Sequence, residues 1–118
     1  MPSTTTYKFG DIVLVQFPFT DLSTTKKRPS IVVSSQAYNR NRSDIVVMAV
    51  SSRVRIPARF GEVIIQDWQR SGLLKPSAIK PVFSTLNLQV VLKYIGSLQA
   101  SDRESILRVL PQILGDSN

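Results

Sequence analysis

The chain has no cysteine and no histidine. The first absence removes disulfides and thiolate metal sites. The second removes a common zinc ligand and the side chain that most often moves protons near neutrality. A structural or catalytic zinc is thereby close to excluded, and a serine triad lacks its base. Acids are scarce as well, eight against fifteen basic residues. They are scattered, so hydrolysis by two carboxylates in one cleft has no evident pair. No G-x-x-x-x-G-K-[ST] or G-x-G-x-x-G stretch offers a phosphate cradle, and the expectation is a protein with no cofactor and no metal. No apolar run approaches the roughly 20 residues that cross a bilayer. The opening MPSTTTYK has neither a basic n-region nor an apolar h-region. The expected location is the cytoplasm, away from membranes.

What remains is packing and positive charge. A length of 118 residues, 42% of them hydrophobic, suits one domain over residues 1–118 with a real core. The net charge of +7 is concentrated: residues 22–61 hold eight basic residues and the single acid Asp44, whereas the rest of the chain carries seven of each. Concentrated positive charge suits a polyanion, because neutralising phosphates releases counterions and steers encounter. The rival reading is a basic surface that serves solubility.

The hydropathy pattern reads mostly as strands. IVLVQFPF (residues 12–19) alternates and ends at Pro18, and TDLSTTKK (20–27) is a polar loop. SIVVSS (30–35) and DIVVMAVSS (44–52) place apolar residues on both parities, as strands buried on two faces do, and should be neighbours. QAYNRNRS between them is a connector or a single helical turn. RVRIPAR (53–59) is a basic loop, FGEVII (60–65) a further strand, and PSAIKPVFSTL an edge or irregular strand on account of its prolines. VVLKYIGSL (90–98) fits a strand or part of a helix. The C-terminus is a helix: Ser101 and Glu104 form a capping box, and Ile106, Leu107, Val109, Leu110, Ile113 and Leu114 recur at helical spacing. Pro111 should bend or end it. The resulting class is mainly β with a C-terminal helix, a small curved barrel.

Among reactions, elimination leaves catalysis by fixed positive charge. RNA carries its own nucleophile, the 2′-hydroxyl, beside each phosphate, so alignment and charge stabilisation supply much of the rate. Arg28 suits that task, since its guanidinium forks onto phosphate oxygens and stays protonated. Pro29 biases Arg28 toward an extended conformation at a stiff strand entrance. On these residues alone, a solvated arginine before a strand is the rival reading.

GDIVLVQFPFTDLSTTKKRPSIVVSS resembles the opening of the MazF/PemK family of bacterial toxins, with a G-D-[IV] strand, a loop, and R-P before an aliphatic strand. The likeness continues through DIVVMAVSS, GLLKPSAIKP, KYIGSL and the terminal helix. It implies an SH3-like barrel of the CcdB/MazF type and a homodimer. It further implies metal-independent cleavage of single-stranded RNA to a 2′,3′-cyclic phosphate and a cognate antitoxin with an acidic, partly disordered segment. DNA would be met only through the antitoxin complex. The family's catalytic arginine falls on Arg28, and its strand-end hydroxyl on Ser51, with Ser52 adjacent; Lys80 aligns with a basic residue that some members use near phosphate. Some members follow that residue with a carboxylate, where this chain has Val82. Others place a glutamate or histidine in the first loop, here led by Thr20 and Asp21. The general base is therefore unassigned, Asp21 being the only acid in the loop. Lys26, Lys27, Arg53 and Arg55 are expected to flank Arg28 and Ser51 from two loops and, with Thr20, Asp21 and Lys80, to hold RNA. Arg40 and Arg42 are read as solvated, and Phe17, Phe19, Trp68 and Phe83 as packing. Two alternatives stay open: a non-catalytic RNA- or antitoxin-binding barrel, and a gyrase poison of the related CcdB-like fold.

Overall fold

A computed structural model of the chain describes residues 6–18 and 25–115. Six strands and two α-helices follow in the order β1 (Asp11–Pro18), β2 (Thr25–Val32), α1 (Gln36–Asn41), β3 (Asp44–Ser51), β4 (Val63–Ile64), β5 (Ala78–Asn87), β6 (Val91–Ser97) and α2 (Ala100–Leu114). They form one sheet in the order β4-β5-β3-β2-β1-β6, antiparallel at every pairing. The expected neighbours β2 and β3 pair from Ser30 opposite Ala49 to Val32 opposite Val47. Residues 90–98 resolve as a strand, β6, entered through the 3-10 turn Leu88–Val90.

Apolar residues on both parities of the central strands have a direct structural meaning. Ile12, Ile31, Met48, Val50 and Ile79 pack on one side with Ile106 of α2, while Val13, Val15, Val32, Ile45 and Val47 form a second cluster on the other. Both faces are dry, which a curled sheet with a helix against its outside achieves. Burying a Val or Ile side chain stabilises by about 1.5–3 kcal/mol, so these two layers dominate the favourable side of folding.

The mainly β class with a C-terminal helix is present, but the curled sheet does not close into a barrel. Among the described residues β4 and β6 are its two edges and are not paired with one another. β4 has two residues, too few to bridge, and the turn at residues 71–72 abuts β6: a Cβ on Gly72, whose φ is +95°, would stand 2.7 Å from the Ile95 carbonyl oxygen. The six-residue strand expected at 60–65 contracts to Val63–Ile64.

β5 is interior, between β4 and β3, so of the two readings its prolines suggested, edge or irregular, the irregular one holds. The register explains the tolerance. Met48 pairs with Phe83 and Val50 with Ile79, so residues 80–82 bulge out of the ladder and Pro81 sits where no regular donor is needed. The capping box at Ser101 and Glu104 is absent as well. α2 begins at Ala100 after Gln99, which makes no side-chain cap, and runs through Pro111 to Leu114 before Gly115 ends it at φ 87°. Its inward face is narrower than the spacing suggested: Ile106 is buried and Val109, Leu110 and Ile113 pack on the core, but Leu107 and Leu114 are exposed.

Candidate nucleic-acid interface

Asp102, which sequence reasoning did not single out, builds part of the site from a distance. It is 1% exposed and accepts from the backbone N–H groups of Gln66 and Asp67 at 2.9 and 3.0 Å. Those bonds fix the start of the turn at residues 66–72, within which Ser71 Oγ donates to the Asp67 carbonyl at 2.8 Å. The turn ends at Gly72 against Ile95, so Leu73, Leu74 and Lys75 are delivered to the rim of a groove that β6 also borders.

This groove has a volume of about 650 Å³. Its other wall is the entrance of β2. Lys26, Lys27, Arg28 and Pro29 line it together with Leu14 of β1 and Val50, Ser51 and Ser52 at the end of β3. The β2–β3 ladder stops at Ser30, next to Pro29, which has no N–H to donate. Continuing the same register past that stop sets Arg28 opposite Ser51, and both border the opening where the two strands are no longer paired. Arg28 is half-buried and Ser51 likewise, whereas Ser52 and the lysines are exposed. Ser51 Oγ accepts from the Arg53 N–H at 3.1 Å, which shapes the turn and leaves its hydroxyl proton available for donation.

Five cations line the groove, namely Lys26, Lys27, Arg28, Lys75 and Lys93, and among the described lining residues there is no carboxylate. Several unit charges of one sign at a concave surface focus the field on whatever enters. Among the described residues no three His, Cys, Asp or Glu side chains gather as metal ligands.

The expected site residues divide in position. Arg28, Ser51 and Ser52 come together in the groove with Lys26 and Lys27, although the lysines belong to strand β2 and not to the loop in which they were expected. Arg53 and Arg55 are not among the residues that line it, and Ile56 and Phe60 of the same loop are exposed. Lys80 does not line it either. Its ammonium lies 3.1 Å from Glu62 Oε2, both side chains being largely buried at 15% and 10% exposure. The Glu62 carboxyl is held below the usual range first by the Arg59 N–H, at 3.1 Å, and further by Lys80, against the opposing effect of burial. Thr20 and Asp21 lie outside the described residues, as does Phe19. Trp68 and Phe83 pack against the core, in line with their expected role.

Sequence reasoning missed Lys75, Lys93, Tyr94 and Ser77, all of which line the groove. Lys75 follows the G-L-L run of a turn, and Lys93 and Tyr94 stand in a segment whose helix-or-strand character decides where they point. Ser77 Oγ is committed to the Lys75 carbonyl at 2.9 Å. Elsewhere Arg42 is not simply solvated: it reaches Asp44 Oδ2 at 3.1 Å, and its bond, with that of Tyr38, holds the Asp44 carboxyl below its ordinary range.

An antiparallel, curled sheet with one helix outside it and a cationic groove containing an arginine and strand-end serines defines a class of small β proteins suited to an anionic chain. The model of the PemK-like, MazF-like toxins of type II toxin–antitoxin systems matches residues 8–114, and the chain belongs to that family. A search of curated protein sequences found no match. Solved structures show the same fold. A MazE–MazF structure from Deinococcus radiodurans superposes with a TM-score of 0.75 at 19% identity, covering 97% of this chain and 100% of that one. The Mycobacterium tuberculosis toxin MazF-mt6 gives 0.74 at 19% identity, over 92% and 98%. An endoribonuclease from a mycobacterial species, in complex with its cognate antitoxin, gives 0.72 at 18% identity, over 95% and 96%.

Proposed function

We propose that the protein is the toxin of a type II toxin–antitoxin pair and cleaves single-stranded RNA without a metal, leaving a 2′,3′-cyclic phosphate and a 5′-hydroxyl. The observation that carries this reading is the convergence of Arg28 and Ser51 in one cation-lined groove of a chain belonging to the MazF-like toxins. The substrate's 2′-oxygen attacks the adjacent phosphorus. Its proton passes to solvent water, the 5′-oxygen leaves and takes up a proton from water to become the 5′-hydroxyl, and negative charge builds on the non-bridging oxygens in between. Arg28 meets that charge with a fixed, permanently protonated fork, and the Ser51 hydroxyl donates to the same phosphate. Lys26, Lys27, Lys75 and Lys93 hold the flanking phosphates, while splayed bases face the apolar parts of the groove.

The described groove offers no carboxylate to take the 2′-proton. Cleavage therefore runs mainly on alignment and charge stabilisation, and is slow or selective for context. The same shortage favours one second reading, a barrel that binds RNA or antitoxin without cutting. An acidic, partly disordered antitoxin segment with apolar anchors would fold across the groove and shut it. We further read the chain as one domain acting as a homodimer in the cytoplasm. No described helix is long and apolar enough to cross a membrane.

The test is a short single-stranded RNA incubated with the protein in the presence of chelator, with products read by mass spectrometry. Cyclic-phosphate fragments from the wild type and none from a folded Arg28→Ala variant are expected. Intact RNA bound by wild type would establish the second reading, and equal cleavage by the variant would overturn the assignment of Arg28.

A further inference from the structure

In the mechanism above, bases lie against the apolar side of the groove with no side chain assigned to meet one. β6 meets β1 in a register that slips twice. Ile12 pairs with Gly96 but Val13 with Tyr94, and Leu14 pairs with Lys93 but Val15 with Val91, so Ile95 and Leu92 are extra residues. A regular strand sends successive side chains to opposite faces, and bulges re-aim them. Between the two bulges Lys93 and Tyr94 pair with the consecutive residues Leu14 and Val13 and so alternate across the strand; both border the groove together with Ile95, and Tyr94 also borders a second cavity beside Lys8, Phe9 and Arg103.

Tyr94 is 54% exposed, and Leu74, two residues beyond the glycine that abuts Ile95, is 94% exposed. Both line a cavity whose remaining rim is cationic. Aromatic surface beside a basic track is the arrangement that binds unpaired nucleic acid, because every base has a face to stack and each lies one sugar away from a phosphate.

We infer that Tyr94 is a base-stacking residue of the groove: one unpaired base lies against its ring, Lys93 holds the adjoining phosphate, and Leu74 packs on the same nucleotide. The inference rests on the RNA reading above and adds a residue that sets the register of the strand relative to Arg28. Stacking accepts any base, so Tyr94 contributes positioning and affinity more than base identity.

The test uses a short single-stranded RNA made uncleavable by 2′-O-methyl groups, with binding read by fluorescence anisotropy. A matching set of oligonucleotides carries one abasic nucleotide each, at successive positions. Tyr94→Ala is expected to bind about tenfold more weakly, with Tyr94→Phe equal to wild type. At one position the abasic change should cost wild type a similar factor and cost Tyr94→Ala nothing more. On the cleavable RNA the alanine variant should raise KM more than it lowers kcat. Wild-type affinity in Tyr94→Ala overturns the inference, as do losses from the variant and the abasic change that multiply at every position. A weakened grip on an acidic antitoxin segment with unchanged RNA binding overturns it too. Wild type that binds no RNA removes the RNA reading itself, which a lost Tyr94 effect alone does not. Thermal melts of both variants separate a folding defect from a lost contact, and Tyr94→Leu, which keeps apolar bulk but has no ring to stack, carries the test with the same expected loss if alanine fails to fold.

Discussion

Around α2 and β4 the acids and bases answer one another: Asp102 takes two backbone donors, Glu62 takes Lys80 and the Arg59 N–H, and Asp67 takes Arg70 at 3.0 Å. On the groove rim five cations converge with no described carboxylate among the lining residues. The two regions sit on one small sheet and differ in what their charge is for. Near the helix, Asp102 satisfies two backbone N–H groups that would otherwise cost about 1–3 kcal/mol each, and the neighbouring acids pair with bases. At the groove, positive charge accumulates, which costs some stability through like-charge repulsion and gains only when an anion enters. Net charge alone cannot draw this distinction, because Lys80 and Lys93 count the same in a sum.

The sharpest way to break the comparison is to remove one charge from each side. Arg28→Ala should lower the RNA cleavage rate by about 10²–10³-fold, the usual loss of a transition-state donor, while its melting temperature stays near that of wild type. Asp102→Ala should do the reverse. Leaving the N–H groups of Gln66 and Asp67 without their acceptor should cost about 2–4 kcal/mol in urea unfolding, with little change in the chemistry of the molecules that remain folded. A variant that lost activity in proportion to stability in both cases would erase the distinction.

Acid sharpens it further. Glu62 has its pKa lowered in the folded state, so it contributes stability that is fully present above its unfolded value of about 4.3 and is lost as the pH falls through the lower folded value. Wild type and Glu62→Gln should therefore differ in unfolding free energy at neutral pH and converge as the pH falls below the lowered folded value. A constant difference across that window would show that the carboxylate's charge is immaterial. The smallest expected effect concerns salt. Each phosphate contact on a single strand adds a slope of about 0.7 to the fall of log affinity with log salt, so Lys93→Ala should flatten the slope by about that amount. Arg53→Ala and Arg55→Ala, outside the groove, should leave it unchanged.

The central strands and the pairing of β2 with β3 were legible because β-branched runs bounded by polar turns leave few options, and burial on two faces was written into the unbroken apolar parity of residues 45–50. Arg28 and Ser51 were legible through a motif and not through their chemistry, since an arginine before a strand and a serine after one are ordinary residues when taken singly. Lys80 misled because alignment fixes a position along the chain, not a direction: the bulge at residues 80–82 and a carboxylate eighteen residues upstream give its ammonium another partner. Asp102 was missed for a related reason. Ser101 and Glu104 offered a local cap, but the acid between them satisfies a turn 35 residues away in sequence, and local patterns do not register so distant a donor. Tyr94 stands in a segment that sequence left open between strand and helix, and nothing in the order V-L-K-Y-I-G-S reveals the two slips against β1 that flank it.

The claim that positive charge at the groove awaits RNA, while charge around the helix holds the fold, can be read residue by residue in a ¹H–¹⁵N correlation spectrum titrated with an uncleavable single-stranded RNA. Shifts should concentrate at Lys26, Lys27, Arg28, Ser51, Ser52, Lys93 and Tyr94, with Glu62, Lys80 and Asp102 silent. Shifts centred on residues 53–60 or on α2, with the groove unmoved, would contradict the account.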